Sequence, residues 1–304
     1  MRTLYLGTSG FAATVLRALA ASPHRPALVV TPPDRPRGRG RKVQSPPAAD
    51  AARELGIDLL QAKSVNDPEA LEKIDALAPE GAAVCAFGQL IKEPLLSRWE
   101  ILNVHPSLLP RWRGAAPIER ALMAGDRRTG VSVMKLTEGL DSGPVAAVAE
   151  VAIGPEDDHD ALAARLATLG GEMLVEAFDR QAAGRLELVE QDDSLATYAE
   201  KIDADARRLD PGRTAEELAR QVRALSSHIG AYLETADGRR LGVRRARPVD
   251  DAEVGAGELE ARSGTLLLGC GRGTLSLEVV QAEGGKALAA DSFLRGNELP
   301  RLRS

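Results

Sequence analysis

The stretch Asn103-Val104-His105-Pro106-Ser107-Leu108-Leu109-Pro110-Arg111-Trp112-Arg113-Gly114-Ala115-Ala116-Pro117-Ile118 begins as the end of a strand and finishes as the start of a helix. Asn103 and His105 are two residues apart, so on a strand their side chains point to the same face. Pro106 and Pro110 cannot donate to a β-ladder and therefore end the strand. The pattern predicts an amide and an imidazole side by side where a strand gives way to a loop.

Strands and helices alternate through the first half of the chain. Short apolar runs typical of buried strands occur at 3–7, 26–31, 82–87 and 101–105. Helical spacing of apolar residues lies between several of them. The alternation predicts an α/β domain with a doubly wound, parallel-rich sheet. Ligands of such sheets bind beyond the carboxyl ends of the strands, which is where Phe87 and the Asn103-x-His105 pair fall.

The second half of the chain has a different pattern. Strand-like runs separated by glycine-containing turns occur at 231–235, 240–246, 264–270, 274–280 and 287–291. Such spacing predicts a small all-β barrel. A chain of 304 residues is natural for two domains. We expect a first domain over 1–183, a linker over 184–205 and a C-terminal domain over 206–304.

The composition narrows the classes of protein. Hydrophobic residues make up 44% of the chain, which is enough for packed cores, and no apolar run is long enough to cross a bilayer. The N-terminus lacks the pattern of a secretory signal. Cys85 and Cys270 each lie in an apolar strand-like run, so we expect buried thiols in a cytoplasmic protein.

Metal binding is not predicted by the sequence. The four histidines are scattered, and no cluster of cysteine and histidine has the spacing of a metal site. The net charge of −5 also means that any contact with nucleic acid requires a local basic patch.

Such a basic patch follows the second predicted strand. The segment 32–42 holds five basic residues against one acidic residue, with three prolines and two glycines that exclude a helix or a central strand. The basic residues are Arg35, Arg37, Arg39, Arg41 and Lys42. We predict a long loop without regular structure. Its arginine density favours contact with a phosphate backbone, and a solvated basic linker is the alternative.

A third polar group comes from the turn Glu138-Gly139-Leu140-Asp141-Ser142-Gly143-Pro144, which follows a predicted strand at 130–136. An imidazole near the carboxylate of Asp141 can move a proton near neutral pH. The Asn103 carboxamide can donate to an oxygen that becomes negative when a carbonyl turns tetrahedral. No GxSxG motif is present. The set favours acyl transfer to an amine without a covalent enzyme intermediate, although Asp141 could instead merely satisfy backbone donors.

Three motifs together carry a resemblance to a known family. Asn103-x-His105, the run 107–110 and the glycine-flanked Asp141 turn resemble the folate-dependent formyltransferase family, and the match continues into 197–202, 221–225 and 293–297. The resemblance implies a Rossmann-like formyltransferase domain joined to an OB-like barrel that binds tRNA. It implies 10-formyltetrahydrofolate as formyl donor, the α-amine of initiator methionyl-tRNA as acceptor, a monomer, and no membrane or metal.

The resemblance also assigns roles to residues. Asn103, His105 and Asp141 would be catalytic, with Asn103 and a protonated His105 donating to the oxyanion and His105 and Asp141 moving the amine proton. The folate head group would be bound by Phe87, Gly88, Gln89, Leu90, Ile91, Ser107, Leu108, Leu109, Pro110, Glu138, Gly139 and Leu140. The basic loop would approach the acceptor stem of the tRNA.

Other functions share parts of this pattern. The same chemistry serves formyltransferases that act on an amino-sugar nucleotide or on glycinamide ribonucleotide, and formyl-folate hydrolases. The basic loop argues against these small-molecule substrates. A tRNA-binding protein without catalysis is the alternative from another class, and it would have no need of Asn103, His105 and Asp141 together.

Overall fold

A computed structural model of the chain describes residues 1–37, 42–250 and 252–303. The chain forms two compact units. The first unit comprises 1–114, 128–152 and 163–198, and the second unit comprises 115–127, 153–162 and 199–304. Across these described ranges, none of the helices combines the length and the apolar character that crossing a membrane requires.

Both units contain strands. In chain order they are β1 (Thr3–Gly7), β2 (Pro26–Thr31), β3 (Arg35–Arg37), β4 (Lys42–Gln44), β5 (Asp58–Gln61), β6 (Gly81–Cys85), β7 (Ile101–His105), β8 (Arg113–Gly114), β9 (Arg128–Lys135), β10 (Val145–Ala152), β11 (Tyr198–Ala199), β12 (Ala231–Glu234), β13 (Arg240–Val249), β14 (Leu259–Arg262), β15 (Thr265–Gly269), β16 (Thr274–Gln281) and β17 (Ala287–Ala289).

The helices alternate with the strands in the first half of the chain. They are α1 (Gly10–Ala20), α2 (Pro47–Leu55), α3 (Pro68–Leu77), α4 (Leu95–Arg98), α5 (Pro117–Ala124), α6 (His159–Ala182), α7 (Ala215–Leu225) and α8 (Ala290–Gly296).

The sheet of the first unit has seven strands in the order β10-β9-β7-β6-β1-β2-β5. Strands β7, β6, β1, β2 and β5 run parallel to one another. Strand β9 is antiparallel to its two neighbours, β7 and β10. The chain leaves β5 and returns on the opposite side of β1, so the strand order reverses between β1 and β6. That reversal is where doubly wound sheets bind ligands, and it lies beside the end of β7 that carries His105. The predicted Rossmann-like class is confirmed.

The core of the first unit explains why these segments form strands. Leu4, Leu6, Val30, Val84 and Ile101 are among the apolar side chains that cluster on one side of the parallel strands. All five residues of β1, β6 and β7 are buried, which is the pattern of parallel strands covered on both faces. Asn103 and His105 are therefore polar exceptions in a buried strand.

Helix α6 approaches the sheet and α1 closely because two adjacent glycines lie at the contacts. A Cβ atom on Gly170 would lie 2.6 Å from Val104 Cγ1 of β7, and one on Gly171 would lie 2.6 Å from Ala18 Cβ of α1. Both distances are well inside van der Waals contact. Glycine at these positions sets the separation of α6 from its neighbours.

The second unit is built on antiparallel strands. Its sheet has the order β12-β13-β16-β15-β14, and β17 pairs with the end of β16. Helix α7 packs against β13 and begins with a capping box, in which Thr214 Oγ1 accepts from the Glu217 N–H and Glu217 Oε2 accepts from the Thr214 N–H. The β-rich C-terminal domain is confirmed, whereas its closure into an OB-like barrel stays a prediction.

Several predicted elements differ from the observed ones. The strand predicted over 287–291 ends at Ala289, and α8 begins at Ala290. Strand β14 was not predicted, because its alternation is short and ends in charge. In the segment predicted as a linker, Val189 forms an isolated bridge with Val145. The basic loop is not structureless, since β3 and β4 pair as a short antiparallel ladder.

We expect Gly171→Ala to lower the free energy of unfolding by about 1–3 kcal/mol, because the added methyl overpacks the contact with Ala18. Urea denaturation of the full chain measures this. Gly10→Ala is the matched control in α1, where no atom lies within 4 Å of an added Cβ. It should leave stability unchanged or raise it by up to about 1 kcal/mol. Equal midpoints for the two variants would contradict the close packing of α6.

Candidate active site

The Asp141 turn folds back on the end of β9. Gly143 makes this possible, because a Cβ atom there would lie only 2.0 Å from the Lys135 carbonyl oxygen. The Lys135 N–H donates to the Pro144 carbonyl at 2.8 Å. Asp141 itself has a φ of 46°, in the left-handed region that Asp tolerates better than most residues. This backbone directs the carboxylate toward the end of β7.

The Asp141 carboxylate brings three parts of the first unit together. Its Oδ1 accepts from the Asn103 carboxamide at 3.3 Å, and its Oδ2 accepts from the Gly114 N–H at 2.8 Å. The same Oδ2 lies 3.6 Å from His105 Nδ1. The Asp141 and His105 side chains are 14% and 5% exposed, so these contacts are shielded from water. The structure thus places the three predicted polar side chains in one group.

The orientation of His105 follows from its second nitrogen. His105 Nε2 lies 2.9 Å from the Trp112 carbonyl oxygen. A carbonyl can only accept, so Nε2 carries the hydrogen and a neutral ring has its lone pair on Nδ1, facing Asp141. Both ring nitrogens therefore face protein groups. Donation from His105 to a substrate oxygen would replace one of these two contacts.

Trp112 holds its carbonyl in place through an uncommon backbone conformation. Its φ is 64°, which costs a bulky residue roughly 1–3 kcal/mol and usually marks a functional segment. The Trp112 N–H donates to Thr197 Oγ1 at 2.9 Å, and the Arg111 guanidinium lies over the indole at 4.3 Å. These contacts compensate for the strain and fix the acceptor of His105.

Sequence reasoning missed Gln191, which lies in the segment predicted as a linker. Its Nε2 donates to the carbonyl oxygens of Asp141 at 2.9 Å and Gly143 at 2.7 Å. Its Oε1 accepts from Arg113 Nε and Nη2 at 3.0 and 2.9 Å. Arg113 is 4% exposed and also pairs with Asp193 at 2.7 Å. Arg113 is thus a buried residue that holds Gln191 in position. The sequence gives little indication of the role of Gln191, because glutamine is common in polar segments.

The predicted folate segment after β6 is held by side-chain amides. Gln89 Oε1 accepts from the Val65 N–H at 2.8 Å and its Nε2 donates to the Ala62 carbonyl at 3.0 Å. Asn66 Nδ2 donates to the Leu90 carbonyl at 2.8 Å. Phe87 and Ile91 are buried, Gly88 is exposed, and the Leu90 side chain is 67% exposed. Both ends of the Gln89 amide already form hydrogen bonds within the protein. The groups of this segment that could contact a small molecule are therefore the backbone and the Leu90 side chain.

The predicted loop after β7 is equally well fixed. Ser107 is buried, and its Oγ donates to the Arg111 carbonyl at 2.6 Å. Ser132 Oγ donates to the Ser107 carbonyl at 2.8 Å and accepts from the Leu109 N–H at 3.1 Å. Leu109 is also buried, whereas Leu108 and Pro110 are half-buried. The loop therefore presents a rigid rim beside His105.

The remaining predicted site residues are more exposed. Glu138, Gly139 and Leu140 lie on the surface, with Leu140 61% exposed. Arg35 is exposed on β3. Arg37 and Lys42 face each other at the ends of β3 and β4 by backbone register. Arg39 and Arg41 lie outside the described residues.

Neither cysteine is suited to nucleophilic catalysis. Burial raises the pKa of the Cys85 thiol to about 12 and that of the Cys270 thiol to about 11. Both are free and buried, which confirms the prediction from their apolar context. The chemistry of the site therefore rests on the amide, imidazole and carboxylate.

The arrangement defines a class of protein. Residues 1–178 match the family model for formyl transferase, and residues 201–298 match the model for the C-terminal domain of formyl transferase. The chain belongs to the formyl transferase family. Among curated relatives, it is 42% identical to a methionyl-tRNA formyltransferase of Methylococcus capsulatus, with 98% of both chains covered. It is 40% identical to the one of Methylobacillus flagellatus, covering 98% of this chain and 97% of that one.

Solved structures share the fold at low sequence identity. HypX from Aquifex aeolicus in complex with tetrahydrofolic acid has a TM-score of 0.68 at 17% identity, and the match covers 100% of this chain and 51% of that chain. WlaRD, a sugar 3N-formyl transferase solved in the presence of dTDP and 5-N-formyl-THF, has a TM-score of 0.66 at 14% identity, with 91% and 96% covered. At these identities the likeness concerns the fold.

We expect Gln191→Met to lower the turnover of formyl transfer by up to about 100-fold, the cost typical of displacing a catalytic group by about 1 Å. The substitution keeps the side chain's size but removes four hydrogen bonds that hold the Asp141 turn and Arg113. Steady-state kinetics measure the effect. Glu190→Gln is the control, since Glu190 is the exposed neighbour of Gln191 in the chain, and it should change turnover little. Equal turnover in both variants would contradict a positioning role for Gln191.

Proposed function

We propose that this chain transfers a formyl group from 10-formyltetrahydrofolate to the α-amine of initiator methionyl-tRNA. The observation that carries the proposal is the convergence of three polar side chains. Asn103 Nδ2 lies 3.3 Å from Asp141 Oδ1, and His105 Nδ1 lies 3.6 Å from Asp141 Oδ2. The group belongs to a chain that is 42% identical, over nearly its full length, to a protein named methionyl-tRNA formyltransferase. A non-catalytic binding protein would have no use for this group.

In the proposed reaction, the α-amine attacks the formyl carbon. A carbon–nitrogen bond forms there while the bond from the formyl carbon to N10 of the folate breaks, and N10 receives a proton. A free α-amino group has a pKa of about 8, and the adjacent ester lowers it, so a useful fraction is neutral at physiological pH. The enzyme therefore has to stabilise an oxyanion and move one proton.

Asn103 supplies the oxyanion donor in this scheme. A carboxamide has two N–H groups, so one can donate to Asp141 while the other donates to the formyl oxygen. Asn103 is 9% exposed, and a hydrogen bond in such a shielded place stabilises developing charge more strongly than one in water. Asp141 fixes the amide plane before the substrate arrives.

His105 and Asp141 handle the proton. In a neutral His105 ring the lone pair is on Nδ1, 3.6 Å from Asp141 Oδ2, and Nδ1 can accept the amine proton as a general base. The same pair can return the proton toward N10, directly or through a water molecule. The hydrogen bond to Trp112 keeps the ring in this orientation throughout.

The residues around the group fit a flat folate head group. The segment 87–91, the rim 107–110 and the turn 138–140 combine backbone polar groups with leucine side chains, which is the usual lining of small-molecule sites. Leu90 and Leu140 are 67% and 61% exposed, and a ring placed against either would remove apolar surface from water. No protein side chain is needed as a covalent carrier.

The acceptor's tRNA is assigned to the basic loop and to the C-terminal domain, 206–304. Arg35 is exposed on β3, and the basic loop is the densest cationic segment of a chain with net charge −5. We place the protein in the cytoplasm as a monomer. Two free, buried cysteines accord with a reducing compartment.

The deciding experiment compares acceptors under the same conditions. Purified full-length protein is given 10-formyltetrahydrofolate with initiator methionyl-tRNA, elongator methionyl-tRNA or an amino-sugar nucleotide. We expect rapid formylation of the initiator tRNA only. Transfer to the sugar nucleotide but not to tRNA would overturn the proposed acceptor, and tRNA binding without any transfer would overturn the proposed catalysis.

We expect Asn103→Ala to lower turnover by about 100- to 1000-fold, the usual cost of removing one oxyanion donor. The affinity for folate should change little, because Asn103 lies outside the three segments assigned to the head group. Single-turnover kinetics and folate titration measure the two quantities. Wild-type turnover in this variant would show that Asn103 is not the oxyanion donor.

We expect replacement of Arg39 and Arg41 by Ala to weaken tRNA binding and to reduce the slope of log affinity against log salt by about 1 per lost phosphate contact. The measurement is tRNA affinity across a salt series. Folate affinity in the same variant is the control and should not change. An unchanged salt slope would identify the loop as a solvated linker.

A further inference from the structure

Three side chains far apart in the sequence meet in the second unit. Glu119 lies in the first turn of α5, His159 begins α6, and His228 lies in the turn after α7. One ligand atom from each lies within 4.8 Å of the others. The three residues are 40 and 69 positions apart, so no metal-site spacing is visible in the sequence.

The geometry of the three groups is that of a preformed donor set. Glu119 Oε1 is 2.9 Å from His228 Nε2 and 3.8 Å from His159 Nε2. Neighbouring ligands of a tetrahedral zinc ion, at bonds of about 2.0–2.1 Å, are separated by roughly 3.3 Å. Changes of about 0.5 Å would therefore bring both separations from Glu119 Oε1 to the spacing of zinc ligands. Two histidines and one glutamate are a frequent zinc donor set.

A second contact independently points to metal binding. Asp160 Oδ1 lies 3.1 Å from His159 Nδ1. A carboxylate bound to one ring nitrogen fixes the tautomer in which the other nitrogen has the lone pair, and metal-ligating histidines almost always have such a partner. When Asp160 accepts from Nδ1–H, a neutral His159 ring has its lone pair on Nε2, 3.8 Å from Glu119 Oε1. Nε2 is then available to a bound cation.

The cluster is packed closely around the Glu119 carboxylate. The His159 and His228 rings are stacked with centroids 3.8 Å apart. The Glu119 side chain is 13% exposed, so the carboxylate is largely shielded from water. A divalent ion bound here would replace the hydrogen between His228 Nε2 and Glu119 Oε1.

We propose that Glu119, His159 and His228 form a binding site for a divalent transition-metal ion of the zinc class, with Asp160 orienting His159. The site joins the start of α5, the start of α6 and the turn after α7, which belong to three separate chain segments of the second unit. Three protein ligands leave a fourth coordination position for a water molecule.

The test is zinc binding by the full chain after removal of metal with a chelator. Isothermal titration with Zn²⁺ should show one saturable equivalent, and Co²⁺ should give the visible absorption of a tetrahedral ion. Glu119→Gln and His228→Ala should abolish both signals. Asp160→Asn should weaken zinc affinity by about tenfold or more, as loss of a partner of a ligating histidine does.

Two further variants separate metal binding from ion pairing. His228→Cys should retain zinc, because a thiolate is a good zinc ligand although it cannot donate to Glu119 as the imidazole does. Asp179→Asn is the matched control, since Asp179 pairs with His24 at 2.8 Å as another histidine–carboxylate contact in the first unit. It should bind zinc as the wild type does. Absence of a saturable equivalent in the wild type, or wild-type binding by Glu119→Gln, would overturn the proposal.

Discussion

The rest of the site depends on the hydrogen bonds that the Asp141 carboxylate accepts. One comes from the Asn103 side chain on β7 and one from the Gly114 N–H, and His105 lies beside the same carboxylate. A carboxylate shielded from water is tolerated only when donors surround it, so these groups must gather where it is placed. The left-handed backbone at Asp141 and the close approach at Gly143 put it there.

Further hydrogen bonds within the protein hold the catalytic candidates in place. Buried Arg113 donates to Gln191, and Gln191 donates to the carbonyls on both sides of Ser142. Thr197 fixes Trp112, whose carbonyl fixes His105. Residues 191–197 therefore complete the site although they follow the last helix of the first unit. Such prior ordering is what electrostatic catalysis requires, because the donors need no reorganisation during the reaction.

The fold and the three catalytic candidates could be predicted because each depends on local chemistry. Strand periodicity, proline breaks and glycine-flanked Asp141 are all visible over a few residues. Gln191 and the Glu119, His159 and His228 cluster could not be predicted, since their meaning arises only from contacts between residues distant in sequence. The boundary between β17 and α8 was missed for another reason. Residues 287–291 are short and apolar, and such runs suit a strand or a helix equally.

The central claim is that the charge and both oxygens of Asp141 organise catalysis, and Asp141→Asn tests it most directly. The substitution keeps the shape of the side chain but turns one acceptor into an N–H₂ group, which would then face the Asn103 or the Gly114 donor. The measurement is single-turnover formyl transfer to initiator methionyl-tRNA at saturating folate. We expect the rate to fall by at least about 100-fold with folate affinity retained. A rate within a few-fold of wild type would contradict the account.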